Sequence, residues 1–356
     1  MAIKVIMWGP GVNGSSIVRG VVRHDDMELV GCRVYSEEKH GVDAGVLCGI
    51  EPIGVLATNE REEIMSIDAD VVVHCPNMHS GPKSNDDDIL DLLRSGKNVV
   101  TLTGAHSFPQ AIPGYAEKFE QACHEGGSTF THTGINPGMI GERILPALTG
   151  ICTEVDRVTF KEIYNCSNDA AGIIQFMQFG IPLEEWTVDS PISDTFFELF
   201  YQVIHHVAHT HNIELADIKR SCNVVGAPED IVLDKLADVD QSGPIIIEKG
   251  TVAGIHMVWE GVPKRDTDFI VAKENIWVLR PDLPDFFNFE DSGWEIEIDG
   301  RPCLNTKIKL VPSADGKLNR GDCMVGAGIP VIGEVMKAPP GILLPTVFAP
   351  FKRRFN

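Results

Sequence analysis

Six residues near the start constrain this chain more than any others. Gly9-Pro10-Gly11-Val12-Asn13-Gly14 follows an apolar run, Ile3 to Trp8, and opens a segment, 15–23, whose apolar residues recur at helical spacing. A strand, a turn with glycines spaced G-x-G-x-x-G and a helix make the first βα unit of a parallel sheet. The first glycine permits the tight turn and the second leaves room for a ligand to approach the backbone. The third lets helix and strand pack closely. The helix start adds free N–H groups and a partial positive charge, so Gly9, Pro10, Gly11, Val12, Asn13 and Gly14 are the expected cradle for a dinucleotide pyrophosphate.

The chain after this turn keeps the same rhythm for about 150 residues. Residues 27–35 read as a second strand, and Asn59 with Glu62 as a capping box for a helix through Met65. Val71-Val72-Val73 has the β-branched run of a strand buried on both faces. Asp86-Asp87-Asp88 starts a helix at 89–94, because acids favour the positive end of the helix dipole. Residues 98–102 are a strand, 115–124 a helix and 128–133 a strand, with Gly96 and Gly126-Gly127 where helices end. Beyond residue 150 the pattern changes to strands at 155–164, 245–259 (as a pair), 270–279 and 294–298, with one long helix at 196–211. The expected architecture is an α/β Rossmann-type N-terminal domain, residues 1–150, and a second α+β domain, residues 151–319, for substrate and dimerisation. Its sheet is open and mixed or antiparallel. A helical pattern at 324–332, interrupted by Gly326, Gly328 and Pro330, suggests that residues from about 320 to 356 return to the first domain.

Composition removes several classes of partner. With 51 acidic against 30 basic residues the net charge is −21, which repels nucleic acid and anionic membrane. No apolar stretch reaches the roughly 18–20 residues of a membrane span. Residues 1–6 run straight into the glycine turn rather than forming a secretion signal. Nine cysteines without a Cys-x-x-Cys pair fit free thiols in a reducing cytoplasm. His205 and His209 share a helix face, but no glutamate or third ligand accompanies them, so no metal site is assigned.

In an open parallel sheet the ligand lies beyond the carboxyl ends of the strands. The second strand ends in Arg33-Val34-Tyr35-Ser36-Glu37-Glu38-Lys39-His40, with no acid where NAD enzymes bind the ribose hydroxyls. Arg33, Ser36 and Lys39 instead suit the 2′-phosphate of NADP, with Tyr35 beside them as a further cofactor contact. Glu37 and Glu38 keep NAD or dual use open. Later strand ends offer Cys75, Pro76 and Asn77, then Thr103, then Asn136 and Gly138 in an Asn-Pro-Gly turn, as further cofactor contacts. Reduction of a carbonyl needs a proton donor near the oxygen. His106 is the first choice, in a loop after a strand and with a suitable ordinary pKa. Glu162 and Tyr164 lie two apart on one strand and therefore on one face.

Several of these stretches resemble a known group. The turn at 9–14, Gly41-Val42-Asp43-Ala44-Gly45, Asn98-Val99-Val100-Thr101 and Gly134-Ile135-Asn136-Pro137-Gly138 are similar to 2,4-diaminopentanoate dehydrogenases and native amine dehydrogenases, relatives of dihydrodipicolinate reductase. The likeness continues through Gly250-Thr251-Val252-Ala253-Gly254, Gly293-Trp294-Glu295-Ile296, Ile329-Pro330 and Ala338-Pro339-Pro340-Gly341-Ile342. The resemblance implies a homodimer that reduces a small or medium carbonyl or imine, or oxidises an amine, with NAD(P)(H). Members that use ammonia carry a glutamate just ahead of a Tyr-Pro or Phe-Pro pair. Here Phe108-Pro109 is present, but Gly104 and Ala105 stand at the acid's position. That departure leaves a second reading open, a catalytically silent NADP-binding sensor or structural partner.

Overall fold

The computed structural model describes residues 2–76, 83–103, 106–169, 171–189, 191–234, 244–284, 292–314, 316 and 320–355. The chain forms two compact units, one of Met1–Arg143 with Pro312–Thr346, the other of Ile144–Val311 with Val347–Asn356. The last ten residues thus pack with the second unit rather than the first. Arg354 pairs with Asp268 at 2.7 Å, and Phe351 meets the ring of Phe269.

The first unit is a parallel sheet covered on both faces. Its early elements are β1 (Ile3–Trp8), α1 (Val12–Val22), β2 (Met27–Arg33), α2 (Ala44–Leu47), β3 (Ala57–Thr58) and α3 (Arg61–Ser66). β4 (Val71–His74), α4 (Asp86–Arg94), β5 (Asn98–Thr101), α5 (Tyr115–Gly126) and β6 (Thr129–His132) follow. α9 (Arg320–Val335) and β15 (Gly341–Ile342) return from the far end of the chain. The strand order is β15-β6-β5-β4-β1-β2-β3. β4 shows why this is a two-sided core: Val71 and Val73 pack with the residues of α1 and α9, while Val72 packs with those of α4 and α5. α1 and α9 touch at Gly20, where a Cβ would lie 2.7 Å from Val325. The cap of α3 differs from the expected Asn59–Glu62 box. Glu60 is the N-cap and makes no side-chain capping bond, while Thr58 accepts from the Glu60 N–H at 3.1 Å and donates to Glu63 at 2.7 Å.

The second unit holds α6 (Leu145–Thr149), β7 (Glu154–Asn165), α7 (Ala171–Phe176), α8 (Pro191–Thr210) and β8 (Leu215–Gly226). β9 (Ile231–Leu233), β10 (Ile245–Ile247), β11 (Val252–Pro263), β12 (Ile270–Val278), β13 (Gly293–Arg301) and β14 (Leu304–Ile308) complete it. Six of these strands form one mixed sheet, ordered β14-β13-β7-β12-β11-β8, in which β7 and β12 run parallel. β10 and β11 do not pair with each other, as the apolar run at 245–259 had suggested. β10 pairs with β9, and β11 lies between β12 and β8. α8 covers one face of the sheet through Phe196 on Trp277 and Phe200 on Trp259. The other face carries the ion pairs Arg157–Glu260 and Lys161–Glu297 and a hydrogen bond between His256 Nε2 and Glu274 at 3.1 Å. Among the described residues no helix is long and apolar enough to cross a membrane.

Candidate active site

The glycine turn behaves as its spacing demands. Gly9 has φ +85°, and a Cβ there would lie 2.9 Å from the Cys75 carbonyl and from Pro76. A Cβ on Gly14 would come within about 2.4 Å of the Gly9 carbonyl, so the third glycine locks helix to strand. Gly11 differs, since a Cβ there would meet no protein atom within 4 Å. That empty space opens at the start of α1, which has no side-chain cap and no acid in its first turn. The cradle therefore fits a pyrophosphate: no side chain caps the helix start, no acid in its first turn cancels the dipole, and among the described residues the space at Gly11 is open.

Beside the turn lies a cavity of about 200 Å³ lined by Gly9, Pro10, Gly11, Val34, Tyr35, Ser36, Lys39, Cys75 and Pro76. Eight of the expected cofactor residues are gathered here. Arg33 is not among them, because Nη1 donates to the Val34 carbonyl and the guanidinium lies 5.8 Å from the Trp8 ring centre and 5.1 Å from that of Tyr35. Its part is to hold Tyr35, whose hydroxyl also accepts from Trp8 Nε1 at 3.0 Å. No acid lines this cavity among the described residues, and Glu37 is turned to Asn59 at 2.7 Å. Val12 is almost wholly exposed, and Asn136 and Gly138 lie in the helical segment Ile135–Ile144, outside the cavity lining. Gly138 packs against Thr133. Asn77, Gly104 and Ala105 lie outside the described residues.

His106 takes a different place from the one its loop position implies. It is 2% exposed and packed against Tyr115, Phe119 and Phe130. Both ring nitrogens are engaged, Nε2 with Asp86 at 2.8 Å and Nδ1 with Thr103 at 3.0 Å. A ring so enclosed has no nitrogen to offer a substrate oxygen directly. Burial lowers its pKa, against the pull of Asp86, so the ring is neutral at neutral pH. Thr103, expected as a cofactor contact, is buried in the same network.

The second unit places Glu162 and Tyr164 on one face of β7, opposite Asn275 and Trp277 of β12. The Glu162 carboxylate accepts from two indoles, Trp277 Nε1 at 3.0 Å and Trp294 Nε1 at 3.1 Å. Tyr164 donates to Asp169 at 2.9 Å. On the same face Lys273 is buried, with Nζ donating to Asn275 Oδ1 and to the Glu274 carbonyl and lying 4.1 Å from the Phe160 ring centre. Burial pushes its pKa down to about 7, although Glu162 and Glu274 pull the other way. Sequence reasoning missed Lys273, Trp277 and Trp294. The one available signal was a lysine in phase with a tryptophan on an otherwise buried strand.

No family model matches the chain. It is 24% identical over 352 residues to an amine dehydrogenase of Streptomyces virginiae, covering 96% of this chain and 94% of that one. It is also 24% identical over 354 residues to a 2,4-diaminopentanoate dehydrogenase of Acetoanaerobium sticklandii, covering 96% and 91%. An amine dehydrogenase structure from Mycobacterium smegmatis superposes with a TM-score of 0.76 at 19% identity, covering 96% and 95%, and shares the fold. The chain resembles the amine and diaminopentanoate dehydrogenase group over nearly its whole length.

Proposed function

We propose that this NAD(P)-dependent oxidoreductase prefers NADPH and transfers hydride to a small or medium carbonyl or imine, with amine oxidation as the reverse. The observation that carries the reading is the Glu162 carboxylate, fixed by two indole donors on an aromatic sheet face. A carboxylate held in that setting is a ready counter-ion for a positive nitrogen, and the ring faces of tryptophan add attraction for a cation. The two sequence relatives, an amine dehydrogenase and a 2,4-diaminopentanoate dehydrogenase, support a nitrogen-bearing substrate.

The bound cofactor supplies the hydride. Gly11 and the uncapped N–H groups of α1 would receive its pyrophosphate, and Ser36 and Lys39 its 2′-phosphate, a charge-assisted contact absent with NAD. Glu162 orients the nitrogen of an imine or amine and balances its charge. Making an imine from ammonia needs a base as well, and Gly104 and Ala105 stand where the resembled enzymes have one. Turnover of a ready-made imine or carbonyl is therefore favoured over use of free ammonia. We also infer a homodimer joined through the second unit, and a cytoplasmic setting in which the nine free thiols stay reduced.

The test is Glu162→Gln, which keeps the side chain's shape and removes its charge. It should lower kcat/KM for imine reduction and amine oxidation by about 100-fold, a loss of roughly 3 kcal/mol, and leave NADPH affinity unchanged. Equal kcat/KM in parent and variant would remove Glu162 from the reaction.

A further inference from the structure

A continuous run of buried hydrogen bonds crosses the first unit from near its surface to the carboxyl end of β4. Lys118, whose side chain is 35% exposed, donates to Asp86 Oδ2 at 2.7 Å. Asp86 Oδ1 meets His106 Nε2 at 2.8 Å, and His106 Nδ1 meets Thr103 Oγ1 at 3.0 Å. Thr103 Oγ1 meets Thr101 Oγ1 at 2.8 Å, which meets His74 Nδ1 at 3.2 Å. The other nitrogen of His74, Nε2, is buried with no hydrogen-bond partner among the described residues, in a residue with no exposed surface. His74 directly precedes Cys75 and Pro76, which line the cavity beside the glycine turn.

We propose that Asp86, His106, Thr103, Thr101 and His74 form a proton relay between the protein surface and the cofactor end of the first unit. The hydrogen-bond geometry, with Asp86 ionised and the His106 ring neutral, sets the order of its protons. With Asp86 ionised, His106 donates through Nε2–H, so its Nδ1 must accept from Thr103. Thr103 then accepts from Thr101, and Thr101 from the Nδ1–H of His74, which leaves Nε2 as a bare lone pair. A proton arriving at that lone pair displaces the one on Nδ1. Each later hop breaks one N–H or O–H bond and forms the next, until Asp86 holds the proton; Lys118 then releases one of its ammonium protons to solvent and takes up the Asp86 proton in its place. Run backwards, the same hops take one proton from Asp86, return one to His74 Nδ1 and release one from His74 Nε2. No electrons move along the chain, and every intermediate group ends neutral.

The chemistry calls for such a path, on the oxidoreductase reading above. Reducing a carbonyl to an alcohol consumes one proton per hydride, and oxidising a protonated amine to an iminium releases one. A purely structural network would need no free nitrogen at its inner end, because an unpaired buried polar atom is costly. Burial and the neighbouring His106 push the His74 pKa down to about 3, so both rings work as neutral tautomers that pass protons through rather than store them. Among the described residues the other charged or titratable groups around the path include Tyr115, donating to Asp86 at 3.0 Å, Lys83 over the Tyr115 ring, and His132 near His106.

Thr103→Val cuts the path in the middle with little change in shape. In protein carrying ¹⁵N-labelled histidine, exchange of the His74 ring proton with solvent should slow about 100-fold, while His106, on the solvent side of the cut, keeps its parent rate. Thr103→Ser restores the hydroxyl and should restore the rate, and Thr103→Ala is the second cut if the valine variant does not fold. His74 exchange unchanged by either cut, or slowed together with His106, would overturn the relay. This readout needs no turnover. A parent protein inactive on imines, amines and carbonyls would therefore refute the functional reading without deciding the relay. Where turnover is present, the solvent isotope effect on carbonyl reduction should rise in the cut variants.

Discussion

Lys273→Met probes the charge buried beneath α8. The lysine keeps its proton up to an ordinary 10.5 in the unfolded chain but only to about 7 when folded. Between those values the unfolded chain binds more protons than the folded one, so stability rises with pH. The penalty is complete below pH 7 and vanishes above about 10.5. Its full size is about 5 kcal/mol, of which about 3 kcal/mol is recovered between pH 6 and pH 9. Methionine fills similar space without a charge, so this contribution disappears from the variant. Losing the bonds to Asn275 and the Glu274 carbonyl costs about 1–3 kcal/mol, but that loss does not change with pH. The informative quantity is therefore the difference in slope. Urea unfolding at several pH values, followed by the fluorescence of nearby Trp259 and Trp277, measures it, and other titrating groups cancel between parent and variant. Parallel stability curves would refute the argument and mean that Lys273 keeps an ordinary pKa when folded.

Three further outcomes are expected. Parent protein should bind NADPH more tightly than NADH, and Lys39→Ala should erase about 1.5–3 kcal/mol of that preference, as a fluorescence titration of both cofactors would reveal; tighter NADH binding by the parent contradicts it. Reductive amination of ketones with excess ammonium should be slow in the parent and gain at least about 100-fold in Gly104→Glu or Ala105→Glu, the contribution of a positioned base; rapid ammonia use by the parent would show that another carboxylate serves. Light scattering at micromolar protein should return twice the 39.0 kDa chain mass, and the monomer mass would exclude the homodimer.

The first unit was legible because its signals are local. The glycine turn, the Val71-Val72-Val73 run and the acids that open α4 each act within a few residues, and the structure keeps all three. The second unit was harder for a physical reason. β8 was missed because it lies at the sheet edge, where exposed charge alternates with half-buried residues and little apolar pattern remains. The pairing within 245–259 was misjudged because an apolar run reveals a strand but not its neighbour. Gly250, at φ +84°, separates two strands that belong to different sheets.

The same distinction governs the site. Residues 9–11, 35, 36 and 39 line one cavity because they belong to one βα unit and the strand beside it, so spacing along the chain was enough to place them together. Glu162 was singled out because it shares a strand face with Tyr164, yet what gives it a chemical setting is register across three strands. Trp294 of β13 sits opposite it on one side and Asn275 of β12 on the other, with Trp277 two residues along. A shift of one residue in either pairing would turn those indoles to the opposite face. His106 went astray for the converse reason. A loop histidine after a Rossmann strand invites a catalytic role, but its surroundings are set by α4 and α5, which bring Asp86 and Tyr115 onto it from 20 residues before and 9 after. Its chemistry then depends on partners rather than on position, and those partners turn a supposed donor to substrate into an interior link of a chain ending at His74.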